Sequence, residues 1–156
     1  MSAALYCGGE AGPTPGHPGV APIEGFEAEL RATQVLVIED DAVIAWTMES
    51  LLADMGFAAI AVAPTGSHAI AAARAHAPGL IISDINLGPG IDGIDAVSAI
   101  VPGAAAHVIF VTAYATEAAR ERIEGCLPGA AVLRKPVRAP DLRASVIAVL
   151  KARRQH

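Results

Sequence analysis

The chain has 156 residues, 53% of them hydrophobic and 17% charged, and a formal net charge of −5. That length suits a single hydrophobic core, no stretch approaches the roughly 18 apolar residues of a membrane span, and the negative balance offers a nucleic-acid backbone no attraction. The two cysteines, Cys7 and Cys126, lack C-x-x-C spacing, which argues against a metal ribbon or disulfide framework. No basic start followed by an apolar stretch marks a secretory signal, so a cytoplasmic location is expected.

Residues 1–25 are dense in Gly and Pro, as in Gly12-Pro13-Thr14-Pro15-Gly16, lack hydrophobic periodicity, and read as a disordered extension. Phe26 and Leu30 stand four apart, so residues 26–33 are either one short helix leaning on the domain or a linker. From Gln34 the pattern becomes regular. Gln34–Ile38 is an apolar run suited to a strand covered on both faces, and it ends in Glu39-Asp40-Asp41. Ile44, Met48, Leu51, Leu52 and Met55 fall on one helical stripe that Gly56 terminates. Phe57–Val62 is a second strand, and Thr65 or Ser67 caps a helix that Pro78-Gly79 stop.

Leu80–Ser83 is a third strand, followed by the loop Gly88-Pro-Gly-Ile-Asp-Gly93 and a helix bearing Ile94, Val97, Ile100 and Val101. His107–Val111 is a fourth strand, Thr116–Glu124 a charged helix, and Ala130–Arg134 a short fifth strand. A last helix has Pro140 near its start and Leu142, Val146 and Leu150 on one face, and its basic end, Lys151 to His156, suits the helix dipole. Five strand–helix repeats without hairpin turns specify a doubly wound five-stranded parallel sheet with helices on both faces. In such sheets functional groups gather at the carboxyl ends of the strands.

Those ends carry Glu39 and Asp40, then Asp84, Thr112 and Lys135-Pro136, while Asp41 opens a helix and can serve as its cap. Three clustered carboxylates repel one another, and a divalent cation resolves the conflict; hard oxygen ligands suit Mg²⁺. A lysine ammonium and a threonine hydroxyl can neutralise and bond phosphoryl oxygens. Asp84, leading into the glycine loop, is the best-placed nucleophile. The loop itself spells G-x-G-x-x-G, the phosphate turn of dinucleotide-binding folds. That reading requires an acid at the end of the next strand, where Val111-Thr112 stands, and bare backbone where Pro89 and Asp92 stand. The glycines are therefore assigned to the turn and the chemistry to Asp84.

With those residues placed, Gln34 to Arg153 resembles the receiver domain of two-component response regulators, with its flavodoxin-like fold. Val-Leu-Val-Ile-Glu39-Asp40-Asp41 is similar to the family's acidic opening, Ile-Ile-Ser-Asp84-Ile-Asn86-Leu to its phosphoacceptor strand, Phe-Val-Thr112-Ala to its switch strand, and Leu-Arg-Lys135-Pro136 to its lysine–proline step. The separations of 44, 28 and 23 residues between Asp40, Asp84, Thr112 and Lys135 also match. The resemblance implies that Asp84 accepts a phosphoryl group from a histidine kinase or histidine phosphotransfer protein, with Mg²⁺ held by Asp40, Asp84 and the backbone carbonyl of Asn86. It also implies that Glu39 acts through a water on that metal, that Lys135 pairs with the phosphoryl group, and that Thr112 moves toward it. The change would reach the helices that follow the fourth and fifth strands.

Val132 departs from the family, which usually places Tyr or Phe three residues before the lysine as a rotating switch. Phe110-Val-Thr112-Ala-Tyr114 resembles instead the Phe-Ala-Thr-Gly-Tyr motif of a bacterial general-stress receiver subgroup. Asn86 and Tyr114, each two residues past a site group, are placed to set phosphoryl lifetime through water access. No output domain is expected after residue 153, so the expected function is a stand-alone receiver with a downstream protein partner and no enzymatic turnover beyond its own phosphorylation and dephosphorylation. The alternative is a receiver-shaped adaptor that binds its partner without phosphorylation. A phosphatase of the haloacid-dehalogenase type shares the aspartyl chemistry, but its nucleophile opens the motif order and a second Asp follows two residues on, where Asn86 stands here.

Overall fold

The computed structural model describes residues 20–155. In chain order the elements are α1 (Glu27–Ala32), β1 (Gln34–Ile38), α2 (Ala42–Met55), β2 (Ala59–Ala63), α3 (Gly66–Ala75), β3 (Leu80–Asp84), α4 (Gly93–Ile100), β4 (His107–Thr112), α5 (Glu117–Cys126), β5 (Ala131–Arg134) and α6 (Ala139–Arg154), with one 3₁₀ turn at Val101–Gly103. The strands pair in parallel in the order β2-β1-β3-β4-β5. The chain runs outward from β1 to β2 and then returns to β3 on the other side of β1. The crevice of this sheet therefore opens above β1 and β3, where Ile38 and Ser83 are in register.

Alternation along the buried strands divides the core into two layers. Val35, Val37, Leu80, Ile82, Ile109 and Val111 face Met48, Leu52 and Met55 of α2 and Leu142, Val146 and Leu150 of α6. Leu36, Ile38, Ile81, Val108 and Phe110 face Ala69, Ile94, Val97 and Ile123 on the helices opposite. Short polar side chains set where the helices begin: Asp41 caps α2, Thr65 α3, Asp92 α4 and Thr116 α5. Gly56 ends α2 at φ 116°, a backbone state that favours glycine.

The amino-terminal reading needs correction. Residues 1–19, the greater part of the expected extension, lie outside the described residues, as does Cys7. Residues 20–25 pack on the domain: Ile23 is buried in the α2/α6 layer, and its N–H donates to the Met55 carbonyl at 3.0 Å. A single apolar residue has no period, so pattern reading cannot find it. Residues 27–32 form α1, and Leu30 enters the same layer. The basic end of α6 does more than complement a dipole. Arg154 donates to Glu29 at 2.7 Å and stacks 3.9 Å over the Phe26 ring, and Arg153 donates to Thr33 Oγ1 at 3.0 Å; nearer the start of the helix, Arg143 donates to the Ala21 carbonyl.

Leu30 thus belongs to the core although it precedes the first strand. Leu30→Ala is expected to lower unfolding free energy in urea by about 2–4 kcal/mol, the range for a buried leucine that leaves a cavity. A loss under about 0.5 kcal/mol would place α1 outside the cooperative unit.

Candidate functional site

β1 ends as Glu39 and Asp40 emerge, and β3 ends at Asp84, one strand away. Glu39 and Asp84 are only 5% and 6% exposed, while Asp40 is exposed, and carboxylate oxygens of all three lie within 4.8 Å of one another. Lys135 reaches in from the end of β5, its backbone N–H held by the Thr112 carbonyl at 2.8 Å. Its Nζ donates to Glu39 Oε2 at 2.8 Å and to Asp84 Oδ2 at 2.9 Å. The remaining oxygens are also engaged. Glu39 Oε1 accepts from the Asp41 N–H at 3.2 Å, and Asp84 Oδ1 accepts from the Asn86 N–H at 3.1 Å.

The electrostatics follow from these partners. Burial pushes the Glu39 carboxyl up, the Lys135 and Asp41 hydrogen bonds pull it down, and the nearby Asp84 charge raises it again; the net direction is up. Burial pulls the Lys135 ammonium down, but the bonds from Glu39 and Asp84 outweigh it and hold the ammonium above its ordinary value. Lys135 therefore stays charged, and its one ammonium is shared by Glu39 and Asp84, with Asp40 beside them. The imbalance of two negative charges and the hard oxygen donors fit a divalent cation such as Mg²⁺.

Glu39, Asp40, Asp84, Asn86 and Lys135 lie together at the carboxyl edge of the sheet. Asp41 is a helix cap, accepting from Val43 and Ile44 N–H at 2.9 and 3.1 Å. Glu39 accepts directly from Lys135. Asn86 reaches Asp84 through its backbone N–H. Thr112 is fully buried, and its Oγ1 donates to the Tyr114 carbonyl at 3.1 Å and accepts from the Tyr114 N–H at 3.2 Å. Tyr114 is 70% exposed, and Val132 is 37% exposed. Both line a cleft of about 520 Å³ with Thr112, Ile123 and Arg134. Pro136 follows a cis peptide bond. His68 bonds Thr65 in the cap of α3 and is not at the site.

The three glycines of the loop do three different things. Gly90 takes φ 111° and makes the turn, and Gly88 lies beside Asp40. Gly93 permits a close approach: a Cβ there would fall 1.8 Å from the Asp84 carbonyl oxygen and 2.7 Å from Ser83 Oγ. The expectation that the glycines serve only the turn is corrected here, because a sequence shows glycine without showing what faces it. Also unforeseen is Arg122 of α5, which donates to Asp92 Oδ2 at 2.6 Å and to Asp95 Oδ1 at 2.9 Å. Thirty residues separate Arg122 from Asp92, and no periodicity links them.

The model of the response regulator receiver domain matches residues 35–147. The chain belongs to the response regulator receiver family. This receiver is 42% identical to the phyllosphere-induced regulator PhyR of Methylorubrum extorquens over 84 residues, which are 53% of this chain and 32% of that protein. It is 34% identical to the transcriptional regulatory protein PdtaR of Mycobacterium tuberculosis over 110 residues, 70% of this chain and 52% of that protein. The chain therefore spans about a third to a half of the length of these curated relatives. The solution structure of the Erythrobacter litoralis PhyR response regulator receiver domain is 31% identical, with a TM-score of 0.64 over 78% of this chain and 92% of that domain. Likeness to two PhyR proteins agrees with the subgroup resemblance carried by Phe110 to Tyr114. Receivers are signalling domains that bind Mg²⁺ at an acidic pocket, and this one carries the acidic cluster. Among the described residues no helix is long and apolar enough to cross a membrane.

Two outcomes follow from the geometry. Gly93→Ala is expected to cost about 3 kcal/mol or more, because backbone rather than a flexible side chain opposes the added methyl; denaturant titration checks this, and a cost under about 1 kcal/mol would contradict the packing. Burial raises the Asp92 carboxyl, but the Arg122 bond, the Asp95 N–H and the Arg122 charge outweigh it and lower its pKa. Its charge therefore stabilises the fold above its ordinary value of 3.8, and that contribution is lost as pH falls through the lowered folded-state value. Asp92→Asn, which keeps a cap, should cost about 0.5–1 kcal/mol at pH 7, and the difference should shrink as pH falls below the ordinary carboxylate range. A difference independent of pH would contradict the charge assignment.

Proposed function

We propose that this receiver accepts a phosphoryl group on Asp84 from a histidine kinase or histidine phosphotransfer protein and passes the signal on by protein contact. The observation that carries the reading is Lys135 Nζ within 2.8 and 2.9 Å of Glu39 and Asp84, with Asp40 closing the cluster at the carboxyl edge of the sheet. Asp40, Asp84 and the backbone carbonyl of Asn86 would hold Mg²⁺, with Glu39 acting through water. When bound, the ion supplies positive charge to phosphoryl oxygens.

The chain's own groups then do the following. An Asp84 carboxylate oxygen attacks phosphorus, the oxygen–phosphorus bond forms, and the phosphorus–nitrogen bond of the donor phosphohistidine breaks, its electron pair leaving with the imidazole. Lys135 orients the carboxylate and stays as a fixed positive charge beside the acyl phosphate. The Thr112 hydroxyl, held by the Tyr114 backbone, must leave those bonds to donate to a phosphoryl oxygen. Phosphorylation would thus release Tyr114 and alter the start of α5. Likeness to PhyR favours a place in stress signalling.

Val132 supports a second reading, a receiver-shaped adaptor whose partner binds without phosphorylation, since no aromatic ring on β5 fills the cleft beside Thr112. Equal partner affinity for the two forms would favour it.

Incubation with acetyl phosphate and Mg²⁺, read by intact mass, should add one phosphoryl group to wild type. The adduct should require the metal and vanish in Asp84→Asn. Full labelling of Asp84→Asn would remove Asp84 as the acceptor.

A further inference from the structure

Arg122 lies on α5, away from the acidic cluster, yet its guanidinium makes three hydrogen bonds to two carboxylates. Nη1 donates to Asp92 Oδ2 at 2.6 Å, and Nη2 to Asp92 Oδ1 at 3.2 Å and Asp95 Oδ1 at 2.9 Å. A two-pronged contact fixes the plane of the carboxylate as well as its distance. Asp92 Oδ1 also accepts the Asp95 N–H at 2.9 Å, so the plane of this carboxylate sets the first turn of α4.

The next residue is Gly93. Its N–H donates to the Ile85 carbonyl at 2.9 Å, and it presses on the Asp84 carbonyl so closely that no methyl fits between them. A displacement of Asp92 therefore passes through Gly93 to the Asp84–Ile85 peptide without slack. The Arg122 and Asp92 side chains are 43% and 31% exposed, an environment in which an ion pair adds little to stability. Placement is the use that remains for a contact whose geometry is fixed at both carboxylate oxygens of Asp92.

We propose that Arg122 is a positioning residue for Asp84, acting through Asp92 and Gly93, and that it couples the surface of α5 to the phosphoacceptor. This rests on the reading of Asp84 as the acceptor. α5 then meets the site by two routes, at its start through Thr112 and Tyr114 and at its middle through Arg122. A partner that draws Arg122 toward its own carboxylates loosens the support behind Asp84. By linkage, a change at Asp84 that moves Gly93 alters the availability of Arg122 to a partner.

The test compares wild type with Arg122→Ala, Arg122→Lys and Asp92→Asn in the full chain. Amide hydrogen exchange is followed at Asn86, whose N–H reports the Asp84 carboxylate, and at Gly93. Arg122→Ala should speed both by about threefold or more, a typical size for coupling mutations, with the β1 and β3 amides unchanged and stability lowered no more than in Asp92→Asn. Arg122→Lys should recover part of the protection, lacking the fork. Arg122→Ala combined with Asp92→Asn should add little beyond the larger single effect. Wild type in 1 M KCl should approach Arg122→Ala, since the pair is screened. The rate of phosphoryl labelling from acetyl phosphate should change by about threefold or more in Arg122→Ala.

Wild-type exchange at Asn86 and Gly93 in Arg122→Ala would overturn the proposal. So would altered exchange at Gly93 with unchanged Asn86 exchange and unchanged labelling, which would make the clamp a local brace only. If wild type takes up no phosphoryl group from acetyl phosphate or any kinase tried, the acceptor reading fails, and Asn86 exchange still decides whether Arg122 positions Asp84.

Discussion

One ammonium is shared by two buried carboxylates at the carboxyl edge of the sheet. Lys135 cannot fully neutralise Glu39 and Asp84 together, and Asp40 adds a third negative group at the rim. The fold holds these charges where their repulsion cannot relax, because each sits at the end of a buried strand. A site kept short of positive charge in this way attracts a cation and then an anionic group carried with it. Burial, with the Asp84 charge added to it, pushes the Glu39 carboxyl up, while the bonds to Glu39 and Asp84 hold Lys135 protonated against burial.

Around that centre the chain supplies support of unequal kinds. Behind Asp84 the support is steric, the bare Gly93 backbone against a peptide carbonyl. Beside it the support is a hydrogen bond from the Asn86 amide. Farther out it is electrostatic, from Arg122 to the cap of α4. Steric contacts are short-ranged and stiff, whereas exposed ion pairs are soft and screened by salt. A stiff inner support and a soft outer one leave the site well placed yet open to influence from α5.

The region toward β5 has a different character. Thr112 spends its hydroxyl on the backbone of Tyr114, and Val132 leaves a cleft where a larger side chain would fill space. Movement of the threonine thus bears first on the β4–α5 connection and not on β5. At the opposite end of the sheet, Ile23 and Leu30 extend the α2/α6 layer beyond the residues that match the family model, and arginines of α6 hold that segment in place.

The order of strands and helices was legible in the sequence, because burial on both faces of a parallel sheet leaves continuous apolar runs and amphipathic helices leave a period of 3.6. The placement of Asp40, Asp84, Thr112 and Lys135 was legible for a related reason: each ends or closely follows a strand, so local pattern puts it at the carboxyl edge of the sheet. Asp41 as a cap was legible too, since capping is decided within four residues. What only the tertiary structure decided involves groups far apart in the chain. The sharing of Lys135 between Glu39 and Asp84, the packing of Gly93 on Asp84, the grip of Arg122 on Asp92 and the burial of Ile23 all depend on how separate elements meet in space. Periodicity carries information only along one element, and contacts between elements leave no period to read.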